Sequence, residues 1–148
     1  MHGTSEKVAQ YIAEHMAEVT LVKISNSSDI WISSFDRVIL GGSIHMGRIQ
    51  SSVKKFCAKH RHELLSKPVA LFVCGMEKEP AKQKEELRLA FPEEINMHAL
   101  AKAFVGGEFL FEKMNFIQRM MIRKIAHTDK SLSDINYDVL DGFISEIE

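Results

Sequence analysis

The chain has 148 residues, is 45% hydrophobic and 26% charged, and carries a formal net charge of −1. That is the size and composition of a single globular domain, 1–148, with one core, and its near-neutral charge removes any general attraction to nucleic acid. No apolar run is long enough to span a bilayer, and Cys57 and Cys74 form neither a CxxC nor a metal-ligand pattern, so a cytoplasmic, reducing compartment is expected.

Residues 4–19 are predicted as a helix, because Val8, Ile12, Met16 and Val19 recur at three- to four-residue spacing with Tyr11 and His15 beside them. Just ahead stands His2-Gly3-Thr4-Ser5. Two readings of it stay open. A helix N-terminus offers unpaired N–H groups and the positive dipole end to a phosphate; Gly3 lets the backbone approach closely, and Thr4 and Ser5 add hydroxyl donors. Alternatively Thr4 or Ser5 simply caps the helix. Residues 20–24 form a short β-branched run, a predicted strand. Residues 25–34 are polar and read as loop, with Trp31 packing back on the domain.

Residues 36–42 give the clearest strand. Val38-Ile39-Leu40 is continuous rather than alternating, as in a strand buried on both faces of a parallel sheet. The strand is expected to end at Gly41-Gly42 and lead into a loop, Ser43-Ile44-His45-Met46-Gly47. Open α/β sheets bind ligands at such carboxyl ends. Here Ile44, His45 and Met46 offer flat or soft side chains to a ring system, although an ordinary turn explains the glycines equally well. Residues 50–65 are predicted as one helix with Val53, Phe56, Cys57, His60 and Leu64 inward. His60 and His62, two apart, point in different directions, which argues against a metal site.

Residues 68–74 form a second buried strand, with Pro68 at its first position where no ladder donor is lost. Cys74-Gly75-Met76 follows at its carboxyl end; with no evident base nearby, Cys74 reads as a buried structural thiol. Residues 79–91 form a charged helix that stops before Pro92, and 101–109 a last strand. Residues 112–126 are amphipathic and basic, suited either to packing on the sheet or to peripheral contact with an anionic membrane. The terminal helix, 133–147, turns Ile135, Val139, Leu140, Phe143 and Ile147 inward.

Strands alternating with helices define an α/β, doubly wound parallel sheet. A phospho-receiver domain of the same topology would carry an acidic residue where Gly41-Gly42 stand, which sets that class aside. In order and spacing, HGTSEKVAQYIAE, DRVILGGSIHMGRIQSSVKKF and PVALFVCG resemble the flavodoxin superfamily over nearly the whole chain. The likeness is strongest to its branch of menaquinone-dependent protoporphyrinogen IX dehydrogenases, which carry an inserted helical segment before the last helix; residues 109–127 look like that insertion. The family pattern opens with a strand before the phosphate loop, and none stands before His2, so a flavodoxin-like sheet lacking its N-terminal strand is expected.

The resemblance implies FMN held without a covalent bond. Gly3, Thr4, Ser5 and the His2 backbone match the phosphate loop; Ser43, Ile44, His45, Met46 and Gly47 match the loop on one side of the flavin ring. Cys74, Gly75 and Met76 match the loop on the other side. It further implies an FMN-dependent oxidoreductase acting on a small-molecule, porphyrinogen-like substrate with a quinone acceptor, able to form a homo-oligomer, with no dedicated catalytic side chain assigned. The competing readings are a non-catalytic electron carrier and a domain that no longer binds flavin. Carriers of this type are usually strongly acidic, unlike this chain.

Overall fold

The computed structural model describes residues 4–24, 32–109, 132, 133 and 135–148. Its axis is a strand, Val69–Cys74, buried at all six positions. In chain order the elements are α1 (Thr4–Glu14), a 3₁₀ turn (Ile32–Ser34), β1 (Val38–His45), β2 (Arg48–Ile49), α2 (Ser51–Lys59), α3 (Arg61–Leu65) and the axial strand, β3. There follow α4 (Pro80–Ala90), α5 (Glu93–His98), β4 (Ala101–Phe104), β5 (Glu108–Phe109), β6 (Leu132–Ser133) and α6 (Tyr137–Ile147). The main sheet has the order β2-β1-β3-β4. β1, β3 and β4 run parallel, with Val38 opposite Val69 and Ala70 opposite Ala101; β2 folds back antiparallel on the end of β1.

Alternation along β3 divides the core in two. Val69, Leu71 and Val73 join Leu40, Ile44, Val53, Phe56, Leu64 and Ile95 beneath α2, α3 and α5. Ala70, Phe72 and Cys74 join Val8 and Ile12 of α1 and Leu140, Phe143 and Ile144 of α6 on the opposite face. Helices therefore cover both faces, which is why the strands read as continuous apolar runs. α6 runs against the strands: the N–H of Asn136, just ahead of it, donates to the Val105 carbonyl beyond β4, while Arg37, just ahead of β1, donates to the Ile147 carbonyl at its far end. The Asn136 side chain caps its first turn by accepting from the Val139 N–H at 3.1 Å.

Several expectations are corrected. α1 ends at Glu14 rather than at residue 19, and Val19 is exposed; Glu18 takes a left-handed φ of 56° in the exit from the helix. Residues 20–23 are irregular and join no ladder among the described residues, so β-branched composition alone does not make a strand there. β1 does not end at Gly42 but continues to His45, and the expected loop is a strand end plus a two-residue hairpin turn, Met46-Gly47, with φ of 52° and 79°. Such paired positive φ values match the twist of a tight hairpin. The single helix expected over 50–65 breaks at His60, whose ring packs on Phe56 (centroids 4.6 Å apart) and contacts Glu63 Oε1 at 3.0 Å. α5 was not expected, and Val139 faces outward rather than inward. The stretch 110–131, with most of the expected insertion and its basic helix, lies outside the described residues, as do His2, Gly3 and Trp31.

Candidate functional site at the carboxyl ends of β1 and β3

The parallel register sets Ser43 directly opposite Cys74, so the last residue of β3 lies beside Ser43 and β1 runs two residues further, to His45. Side chains alternate across the sheet from there. Cys74 belongs to the α1 face, and Ser43, one residue before Ile44, falls on the same side. Ile44 turns to the α2 face, where Gly75 meets it: a Cβ at Gly75 would stand 3.4 Å from the Ile44 Cβ and 2.8 Å from the Phe104 ring. Thus Ser43, Ile44, Cys74 and Gly75 are brought together as expected. Thr4 opens α1 and is buried, with Ser5 half-buried beside it on the helix that covers the Ser43 face. His2 and Gly3, the rest of the expected phosphate loop, lie outside the described residues.

The remaining expected residues stand apart. His45, Met46 and Gly47 form the exposed tip of the β1–β2 hairpin, with Met46 77% exposed. Met76 is half-buried at the start of a loop that is tied down: Glu77 Oε1 accepts from the Glu79 N–H at 3.1 Å, and Gln83 Nε2 donates to the Glu77 carbonyl at 2.7 Å. The Gly75 N–H is committed, donating to the Gly106 carbonyl at 2.8 Å.

The two glycines of β1 serve packing rather than a ligand cradle. A Cβ on Gly41 would lie 1.9 Å from the tip of the Phe72 ring, which crosses β1 and meets Phe143 edge-on at 6.2 Å. A Cβ on Gly42 would press on Ile49 and Val53 at 3.0 Å. Gln50 is a residue that sequence reasoning missed: its Oε1 accepts from the Ser43 N–H at 3.3 Å, holding the hairpin against the strand end. No motif marks it, because its role arises only when the hairpin folds back.

Ser43 carries the polar anomaly of the site. It is buried, its N–H is engaged by Gln50, yet its Oγ has no hydrogen-bond partner. A buried hydroxyl without a partner is costly and marks a polar group that the folded chain leaves unsatisfied. On α4, burial, followed by the Glu77 carboxylate, pushes the Glu86 carboxyl above its ordinary range. Burial raises the Cys57 thiol to about 11, as expected of an inert structural cysteine. A separate cavity of about 410 Å³ between α4, α5 and β4 is lined by Arg88, Leu89, Asn96, Met97 and Lys102 among others, and by none of the expected site residues.

A doubly wound sheet with helices on both faces, and a candidate site where the carboxyl-terminal parts of neighbouring parallel strands meet a covering helix, is the architecture of a flavodoxin-type domain. The flavodoxin domain family matches residues 1–136, and the chain belongs to that family. Curated relatives include the quinone-type protoporphyrinogen IX dehydrogenases of Escherichia coli K12 and of Escherichia coli O157:H7. Each is 22% identical over 147 residues, covering 93% of this chain and 81% of the relative. No solved structure matches. Among the described residues no helix is long and apolar enough to cross a membrane, and no cluster of three or more His, Cys, Asp or Glu side chains is placed to hold a metal.

Proposed function

We propose that this chain is an FMN-dependent oxidoreductase that takes electrons from a reduced, porphyrinogen-like small molecule and passes them to a quinone. The observation that carries the flavin reading is the buried, unsatisfied Ser43 hydroxyl at the carboxyl edge of a flavodoxin-family sheet. The chain has an unspent polar group where a nucleotide cofactor of this fold would bind. The likeness to relatives named protoporphyrinogen IX dehydrogenase supports the substrate and acceptor.

Thr4, Ser5, Ser43, Ile44, Cys74 and Gly75 are the described residues that would hold FMN, joined by His2 and Gly3. FMN, when bound, supplies the redox chemistry; the protein supplies binding, orientation and electrostatics. The residues present fit those tasks. α1 presents a helix N-terminus on the Ser43 face, suited to an anionic group. Ile44 gives an apolar wall, and Gly75 allows the β3 end to close against Phe104. Gln50 fixes the Ser43 backbone. Peripheral membrane contact through residues 112–126 would give access to a lipid-soluble acceptor.

The deciding experiment has two stages. Purified protein is titrated with FMN and followed by flavin fluorescence; saturable quenching is expected, and none would overturn the flavin reading. Anaerobic turnover with protoporphyrinogen IX and a menaquinone analogue then distinguishes enzyme from carrier. No rate above background with flavin bound would overturn the dehydrogenase reading and leave electron carriage.

A further inference from the structure

The cavity between α4, α5 and β4 has a wall that changes character with depth. Phe91 and Asn96, its innermost residues, are 4% and 6% exposed, whereas Leu89 and Met97 at its rim are 55% and 80% exposed. Apolar side chains standing in water around an apolar floor are surface that a bound molecule would cover. The volume, about 410 Å³, lies in the range of small-molecule sites.

Two polar groups of this wall are left over once the fold is made. Asn96 Nδ2 donates to the Arg88 carbonyl at 2.9 Å and to the Phe91 carbonyl at 3.0 Å. Carbonyls only accept, so they fix which end of the amide faces them. The other end, Oδ1, is buried and has no hydrogen-bond partner. A buried acceptor in that state is costly until a donor reaches it. The second group is Lys102. Ala101 and Ala103 pack toward α1 and α6, so the lysine between them turns to the α4 face. Among the described residues its ammonium forms no ion pair or hydrogen bond. Arg88, the other cation of the wall, is already answered: its Nε and Nη2 donate to Glu85 at 3.0 and 2.5 Å, and the Glu93 carboxylate also acts on it.

From these features we infer that the cavity is a second small-molecule site, and that its ligand is a small organic anion with a flat apolar body and one hydrogen-bond donor. The body covers Phe91 between Leu89 and Met97, the donor answers Asn96 Oδ1, and the anionic group pairs with Lys102. Each part of that description comes from a different residue, so each can be removed separately. The residues that would hold FMN take no part in this wall, and the inference is independent of the flavin reading.

The probe is indole-3-acetate, which has a carboxylate, a flat apolar body and a ring N–H. It is titrated into the full chain without FMN and followed by amide NMR shifts. Saturable shifts are expected at Leu89, Met97 and Lys102, with a Kd of about 1 mM or tighter for a ligand of this size. 1-Methylindole-3-acetate cannot donate and should bind about fivefold or more weakly, a test of Asn96 that leaves its structural hydrogen bonds intact. Tryptamine keeps the N–H but carries a cation, and should bind about tenfold or more weakly. Lys102→Gln, a change at an exposed side chain, should weaken indole-3-acetate about threefold and remove most of the salt dependence of binding. Absence of saturable shifts, shifts centred on Ser43 and Cys74 instead, equal binding of the N-methyl probe, or equal binding by Lys102→Gln would each overturn the inference.

Discussion

Replacing Ser43 by alanine separates the two roles its hydroxyl can have. In the folded chain Oγ is buried and makes no hydrogen bond, so it loses its hydration without return. An unsatisfied buried group costs about 1–3 kcal/mol. Removing one oxygen also leaves a small void and loses some packing, which offsets part of the gain. Ser43→Ala should therefore stabilise the flavin-free protein by about 1 kcal/mol, a rise of about 3 °C in Tm for a chain of this size. With FMN bound through this hydroxyl the sign reverses: affinity should fall about fivefold to tenfold, equivalent to about 1.0–1.4 kcal/mol. Urea unfolding of both proteins, with and without saturating FMN, reads the two effects in one data set. A variant less stable without flavin and unchanged in FMN affinity would refute the reasoning, because it would mean the hydroxyl already has a structural partner.

Three further outcomes follow from the same geometry. Gly41→Ala should cost about 2–3 kcal/mol by driving a methyl group into the Phe72 ring; pairing it with Phe72→Leu should recover part of the loss in a double-mutant cycle, and strict additivity would refute the contact. Glu86 has a carboxyl raised by burial and then by Glu77, so its contribution is fully present at pH values below the unfolded pKa and is lost as pH rises through the folded pKa. Glu86→Gln should therefore raise Tm at pH 7 by about 1–2 °C and leave it unchanged at pH 3, measured by thermal scans across that range. Cys57, held near 11, should resist alkylation at pH 8 in native protein and react on denaturation; rapid native labelling at Cys57, located by peptide mass mapping, would contradict its burial.

What was legible in the sequence is what local pattern determines. The run Val69–Cys74 is apolar throughout, and it is buried throughout. Val53, Phe56, Cys57 and Leu64 recur at helical spacing and do face the core, even though the helix breaks at His60. The placing of Cys74 at a strand end also came from pattern, because strand ends follow apolar runs. The misreadings share a different cause. Gly41 and Gly42 looked like the start of a loop, but their lack of side chains accommodates Phe72 from β3 and Ile49 from β2, partners that only tertiary structure supplies. Gln50 has no signal for the same reason. α5, six residues between Pro92 and Ala99, is too short for any period to show. Residues 20–23 have strand-forming side chains but join no ladder among the described residues, and a strand is defined by its neighbour.

The edge strand β4 also bears on assembly. A sheet edge offers a row of backbone groups to other chains, and copies joined edge to edge can add without limit. Lys102 stands in solvent midway along β4, so a strand laid against that edge would have to accommodate a charge. On that side the sheet is built to end within its own molecule.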